Sequence, residues 1–212
     1  MKNLKELIVQ EVLSQPDLET WFIGETKFFG PSTRALMFTT EVNSETAALI
    51  ISQLLHLEEL DPQEQITLYL NTEGGSLTDG LAIYDCITNL SCPVVIIATG
   101  LCASAGLLIL SAGDYRAATA NTTFFYHQPI LGDSHINSSA DMESLNNHYA
   151  YCKGKADDII KKRTKMKKTT WDKHFKDKTS FYFTPEEAVE FKFIDKVMPS
   201  RKAKFKIEEN PQ

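Results

Sequence analysis

The sequence predicts an α/β fold in which stacked β-α-β units form a parallel sheet covered on both faces, with one helical arm standing off the domain. Two observations carry the sheet. Residues 66–70 read as a strand, 76–90 as a helix and 94–99 as a second strand. That second strand, Val94-Val95-Ile96-Ile97-Ala98-Thr99, is almost wholly apolar. Strand, crossover helix and strand again is the parallel unit, and a continuous apolar strand belongs to a sheet buried on both sides. A third observation carries the arm. Met142, Leu145, Tyr149, Cys152, Ala156 and Ile159 make a single narrow stripe, at helical spacing, on an otherwise polar segment. Such a helix packs against a partner, another copy of itself included, rather than inside an ordinary core.

In chain order, residues 1–20 form a short amphipathic segment broken at Pro16. Residues 21–29 and 35–39 are rich in aromatic and apolar residues, with a turn at Gly30-Pro31-Ser32. Asn43 caps a helix whose apolar positions are Ala47, Ile50, Ile51, Leu54 and Leu55, and Asp61-Pro62 ends it. After the strand at 66–70 comes a turn through Gly74-Gly75. Ser76 and Asp79 form a capping box for the next helix. Residues 100–103 read as a turn after the buried strand, and a small-residue helix runs from Ser104 to about Ser111, closed by Gly113. Strands follow at 116–120 and 124–127. Ser138 and Asp141 make a second capping box, which opens the arm helix. Thr184, Pro185 and Glu187 supply N-cap, first-turn proline and capping-box glutamate for a short helix ending near Lys192, and 193–197 form the last strand. No repeat or linker interrupts this single domain.

Composition narrows the classes of function. The chain has 212 residues, 42% of them hydrophobic, and 22 basic against 28 acidic residues give a net charge of −6. That balance argues against a general nucleic-acid or anionic-membrane surface. Cys86, Cys92, Cys102 and Cys152 form no C-x-x-C pair and no metal spacing, and read as reduced core residues of a cytoplasmic protein. The acid-bearing N-terminus does not read as a signal peptide, and no apolar run approaches the roughly 20 residues of a membrane span. No metal or cofactor is expected.

Three features could carry chemistry. Ser104 stands where a buried strand turns into a helix of Ala and Gly, a place with free amides and positive potential for an oxyanion. Gly74-Gly75 can turn backbone N–H groups into a cleft. His127 ends an aromatic strand, well placed for a general base. Taken singly, each has a plainer reading: a helix cap, a tight turn, a structural histidine. His56, His135, His148 and His174 have weaker contexts. The basic stretch 161–168 reads as a solvated helix end rather than a nucleic-acid patch.

The three occur in one order, Gly74-Gly75-Ser76, Ala103-Ser104-Ala105 and His127-Gln128-Pro129, and that combination resembles the proteolytic subunit of the Clp protease, ClpP. Further similarity lies in residues 41–47, 50–55, 61–62, 68–71, 82–85 and 187–195, so about residues 35–197 are covered. The resemblance implies a divergent member with a crotonase-like fold, an N-terminal axial segment at 1–20, one domain at 21–200 and a tail at 201–212. The arm, about 138–162, becomes a handle helix interdigitating between two heptameric rings. It implies an ATP-independent serine endopeptidase that cleaves unfolded polypeptides delivered by an AAA+ unfoldase. Ser104 would be the nucleophile and His127 the base, with the amides of Gly75 and Ala105 as oxyanion hole. A non-catalytic ring subunit is the alternative, and an acyl-CoA enzyme of crotonase type a third and weaker one.

The resemblance has departures. The position of the family's triad acid holds Ser180 when counted without a gap, Asp177 lies three residues earlier and Asp172 earlier still; Ser180 and Asp177 both stay open as third member. Glu73 precedes Gly74 where the family usually has Pro. Thr67, Ala117 and Thr119 replace apolar residues of the unfoldase docking pockets, although Tyr69 is kept, so docking is expected to be weak or specialised. The loop at 130–137 is polar where the family has a glycine-rich strand joining the rings.

Overall fold

The computed structural model describes residues 22–23, 26–27, 34–128, 138–176 and 180–199. The N-terminal segment, the turn at 30–32, His135, Asp177 and the tail lie outside the described residues. A small antiparallel pair, β1 (Phe22–Ile23) and β2 (Thr26–Lys27), stands apart from the main sheet.

The main sheet has seven strands. β3 (Ala35–Phe38), β4 (Ile66–Thr72), β5 (Val94–Ala103), β6 (Tyr115–Thr119) and β9 (Lys196–Met198) follow one another across it, all parallel. β7 (Thr123–His127) joins β5 in parallel, and β8 (Ser180–Phe183) joins β7 antiparallel. The helices are α1 (Ser44–Leu60), α2 (Leu77–Asn89), α3 (Ala105–Ala112), α4 (Ser139–Thr164), α5 (Lys168–His174) and α6 (Pro185–Glu190). Ile50, Leu54, Leu68, Leu70, Ile83, Ile96, Leu107 and Phe124 form one core against the sheet.

Caps set the helix starts as local chemistry dictates. Asn43 and Thr46 exchange side-chain and backbone bonds, both at 3.0 Å, and Thr184 does the same with Glu187. Ser138 accepts from the amide of Asp141, and Ser76 makes only its own half of the expected box, accepting from the amide of Asp79. The third residue there is Asp, one methylene shorter than the Glu that reaches back.

Residues 100–103 are strand, not turn. Gly100, at φ 59°, bends β5 instead of ending it, and the Asn71 side chain fills the bend by accepting the Leu101 N–H at 2.9 Å. The register to β4 slips there, and Leu101–Ala103 change neighbours from β6 to β7. The expected last strand also begins later, at Lys196. The amides of Phe193 and Ile194 both donate to Ala188 O, closing α6, so neither is free for the sheet. Gly113 closes α3 as expected, but in extended conformation.

The arm helix is half core. Cys152, Ala156, Ile160 and Thr164 are buried where α4 packs on α3 and α2, while Met142 is exposed. Ile160, not Ile159, continues the buried line, which steps by four residues along one ridge of the helix. Nor is the basic stretch wholly solvated. The Arg163 guanidinium donates to the carbonyls of Ser111, Ala112 and Gly113 at 2.7, 3.1 and 2.7 Å, capping α3. α5 and β8, not expected from sequence, enclose an aromatic cluster centred on the fully buried Phe175, with Tyr126, Trp171, Phe181, Phe183, Phe191 and Phe193 around it.

Candidate active site

Ser104 joins β5 to α3 at φ 54° and ψ −120°. A side chain with a Cβ pays for that conformation, and such residues gather where function needs them. Its amide donates to Phe125 O at 2.9 Å and its carbonyl accepts from Leu107 N–H at 3.0 Å, so the backbone is tied on both sides. The hydroxyl does not cap α3. The plain helix-cap reading therefore fails.

Beside it runs the glycine turn. Val42 N–H donates to Gly74 O and Ser76 N–H to Val42 O, both at 2.7 Å. This one-residue parallel bridge uses the groups flanking Gly75 and turns Gly75's own N–H to the opposite side. Gly74, at φ 93°, lies against Ser104: an added Cβ would sit 2.6 Å from the serine Cβ and 2.9 Å from Ala105 N. At Gly75 an added Cβ would collide with Val42 O. Thr72, buried, holds the turn from below, its Oγ1 accepting from Gly74 N–H at 3.0 Å and donating to Thr40 O at 2.6 Å. The Ala105 amide is first in α3, where no intrahelical acceptor exists.

One cleft of about 500 Å³ takes in Gly74, Gly75, Ser104, Ala105 and His127 together. Its apolar wall is Leu77, Leu108, Ala156 and Ile160, and its carboxylates are Glu41, Glu73 and Asp157. His127 ends β7, stacked on Phe125 at 5.5 Å, and its Nδ1 donates to Gln128 O at 2.6 Å. Ser180 is the direct cross-strand neighbour of His127, so the two side chains share a face, although Ser180 makes no hydrogen bond to the ring. Asp172 is exposed on α5, and Asp177 is outside the described residues.

Sequence reasoning passed over Thr72, Tyr126 and Asp157, and took Gln128 only as part of a motif. A Thr beside Asn71 at a strand end, and a Tyr next to the histidine, were the available signals. Cys102, near the serine in sequence, is fully buried, which pushes its thiol up and leaves it protonated and inert. Among the described residues no His, Cys, Asp and Glu cluster could hold a metal ion, and no helix is long and apolar enough to cross a membrane.

A family model described as Clp protease matches residues 31–201. The chain belongs to the Clp protease family. As a Clp protease subunit it has the crotonase-like architecture, and its match to a solved structure agrees. ClpP1 of Listeria monocytogenes, solved as a point mutant, superposes with a TM-score of 0.69 at 25% identity, over 79% of this chain and 92% of that one. Clp protease membership also implies an oligomeric ring and Clp ATPase partners in general terms.

Proposed function

We propose that this Clp protease subunit is a serine endopeptidase, with Ser104 as nucleophile, His127 as general base and the Gly75 and Ala105 amides as oxyanion hole. The observation that carries this reading is Ser104 at positive φ, hydroxyl unused as a cap, in one cleft with His127 and the turned-out Gly75 amide. Ser104 Oγ attacks the scissile carbonyl while His127 Nε2 takes its proton. The oxyanion is met by the two amides, an effect worth about 10²–10³ in rate per donor. The C–N bond then breaks, the imidazolium gives its proton to the leaving amine, and water hydrolyses the ester by the same path. The chemistry needs no nucleotide. Substrates are unfolded polypeptides passed by an AAA+ unfoldase into a chamber formed by stacked heptameric rings in the cytoplasm. Thr67, Ala117 and Thr119 favour weak or specialised docking.

Fluorophosphonate labelling of size-fractionated protein, with Ser104→Ala as control, tests the reading. Labelling of a large assembly, lost in Ser104→Ala, supports it. An assembled ring that takes no label overturns it in favour of a non-catalytic subunit. For the third triad member Ser180 and Asp177 remain the candidates by position, and Asp177→Ala in the same assay decides whether that carboxylate serves.

A further inference from the structure

For Nε2 of His127 to take a proton from Ser104, Nδ1 must carry one and needs an acceptor. The acceptor in the structure is a main-chain carbonyl, Gln128 O, at 2.6 Å. A carbonyl can only accept, so a neutral His127 bonded to it holds its proton on Nδ1 and presents Nε2 with a free lone pair.

That carbonyl belongs to an anchored residue. The Gln128 side-chain Nε2 donates to the Tyr126 hydroxyl and to Phe175 O, each at 3.2 Å, and reaches Lys176 O at 3.5 Å. Two main-chain acceptors on one side fix which way the amide faces. Tyr126 is itself buried, between the aromatic cluster and α4. Its hydroxyl, already accepting from Gln128, has its own proton left for the Asp157 carboxylate, which Lys153 pairs at 2.6 Å. Burial, then Asp157, push the phenol up, so it stays a neutral donor.

We propose that Gln128 is the positioning residue of His127: its carbonyl fixes the ring tautomer where the family sets a carboxylate, and its side chain, held by Tyr126 and Phe175, fixes the carbonyl. This rests on the reading of Ser104 and His127 as nucleophile and base. Hydrolysis supported by this bond alone is slower than with a triad carboxylate, because a neutral oxygen steadies an imidazolium less than a full charge does.

The test uses the full chain as wild type, Gln128→Met and Tyr126→Phe, with His127→Asn to assign the ring signals. Solid-state ¹⁵N spectra of histidine-labelled protein read the tautomer, and fluorophosphonate kinetics read the maximal labelling rate and the half-saturating probe concentration. In wild type the neutral His127 should be protonated on Nδ1. Gln128→Met should lower the maximal rate on the order of tenfold or more, leave half-saturation unchanged and move the proton toward Nε2. Tyr126→Phe, which deletes one oxygen and keeps the packing, should act in the same direction with smaller effect. A wild-type proton on Nε2, or both variants labelling at the wild-type rate with the tautomer intact, overturns the proposal. If wild type takes no label, the reading of Ser104 fails, while the tautomer spectra still judge Gln128.

Discussion

Gly74 and Ser104 approach so closely that a Cβ on the glycine would stand 2.6 Å from the Cβ of the serine. The same atom would lie 2.7 Å from Ala103 O and 2.9 Å from Ala105 N. Gly74→Ala must therefore push the glycine turn away from α3, besides straining a φ of 93° by about 1–2 kcal/mol. Serine labelling should fall by about 10²–10³, the value of an oxyanion donor, with the fold kept by circular dichroism. Labelling at the wild-type rate would show that the turn's position does not matter.

Thr72 ties the glycine turn to Thr40, two residues past β3, through two bonds of one hydroxyl. Thr72→Val keeps the methyl that packs against Gly106 and removes both bonds. The loss should be about 1–3 kcal/mol of stability, by urea unfolding, for a buried donor and acceptor left unmet. Activity should fall further than the stability loss alone explains, because Gly74 loses its anchor.

Arg163 is the clamp at the root of the arm helix. Arg163→Met keeps its apolar stem and deletes three bonds to the C-terminal carbonyls of α3. Stability should drop by about 2–4 kcal/mol, seen as a lower urea midpoint. Arg163→Lys should recover only part, since one ammonium cannot span three carbonyls in a planar fork.

Burial first, then the carboxylate of Glu58 and the thiol of Cys92, push the Cys86 thiol from 9.0 up to about 11. The folded chain thus keeps a proton that the unfolded chain releases near 9.0. Its stabilising effect is complete below about pH 9 and is lost as pH rises toward about 11. Urea midpoints measured across that window should fall more steeply for wild type than for Cys86→Ala.

Glu41, Glu73 and Asp157 line the cleft, and no Lys or Arg does among the described residues. Peptide esters with a basic residue beside the scissile bond should react several-fold faster than acidic ones at low salt. Raising ionic strength should narrow the difference, as screening of exposed charges requires. Glu73→Gln should narrow it as well.

Contiguous residues encode a definite share of this molecule. Asn43 and Thr184 start their helices because a side chain three residues on completes the cap, and Val94–Thr99 is a buried strand because it is continuously apolar. The order of Gly74-Gly75, Ser104 and His127 pointed to a candidate site, and all of these residues line one cleft. Contacts between distant segments set the remainder. Gly100 bends rather than ends β5 because Asn71, thirty positions from Leu101, supplies an acceptor and β7 a new neighbour. Cys152 and Ala156 of the stripe on α4 are core because α3 lies beneath them and Arg163 finds the helix end there. The partner of His127 Nδ1 is a main-chain oxygen, a group every residue carries and no sequence pattern advertises. Local period and capping are short-range properties, whereas the closing of a bend, the covering of a helix face and the choice of a hydrogen-bond acceptor depend on which distant segments meet.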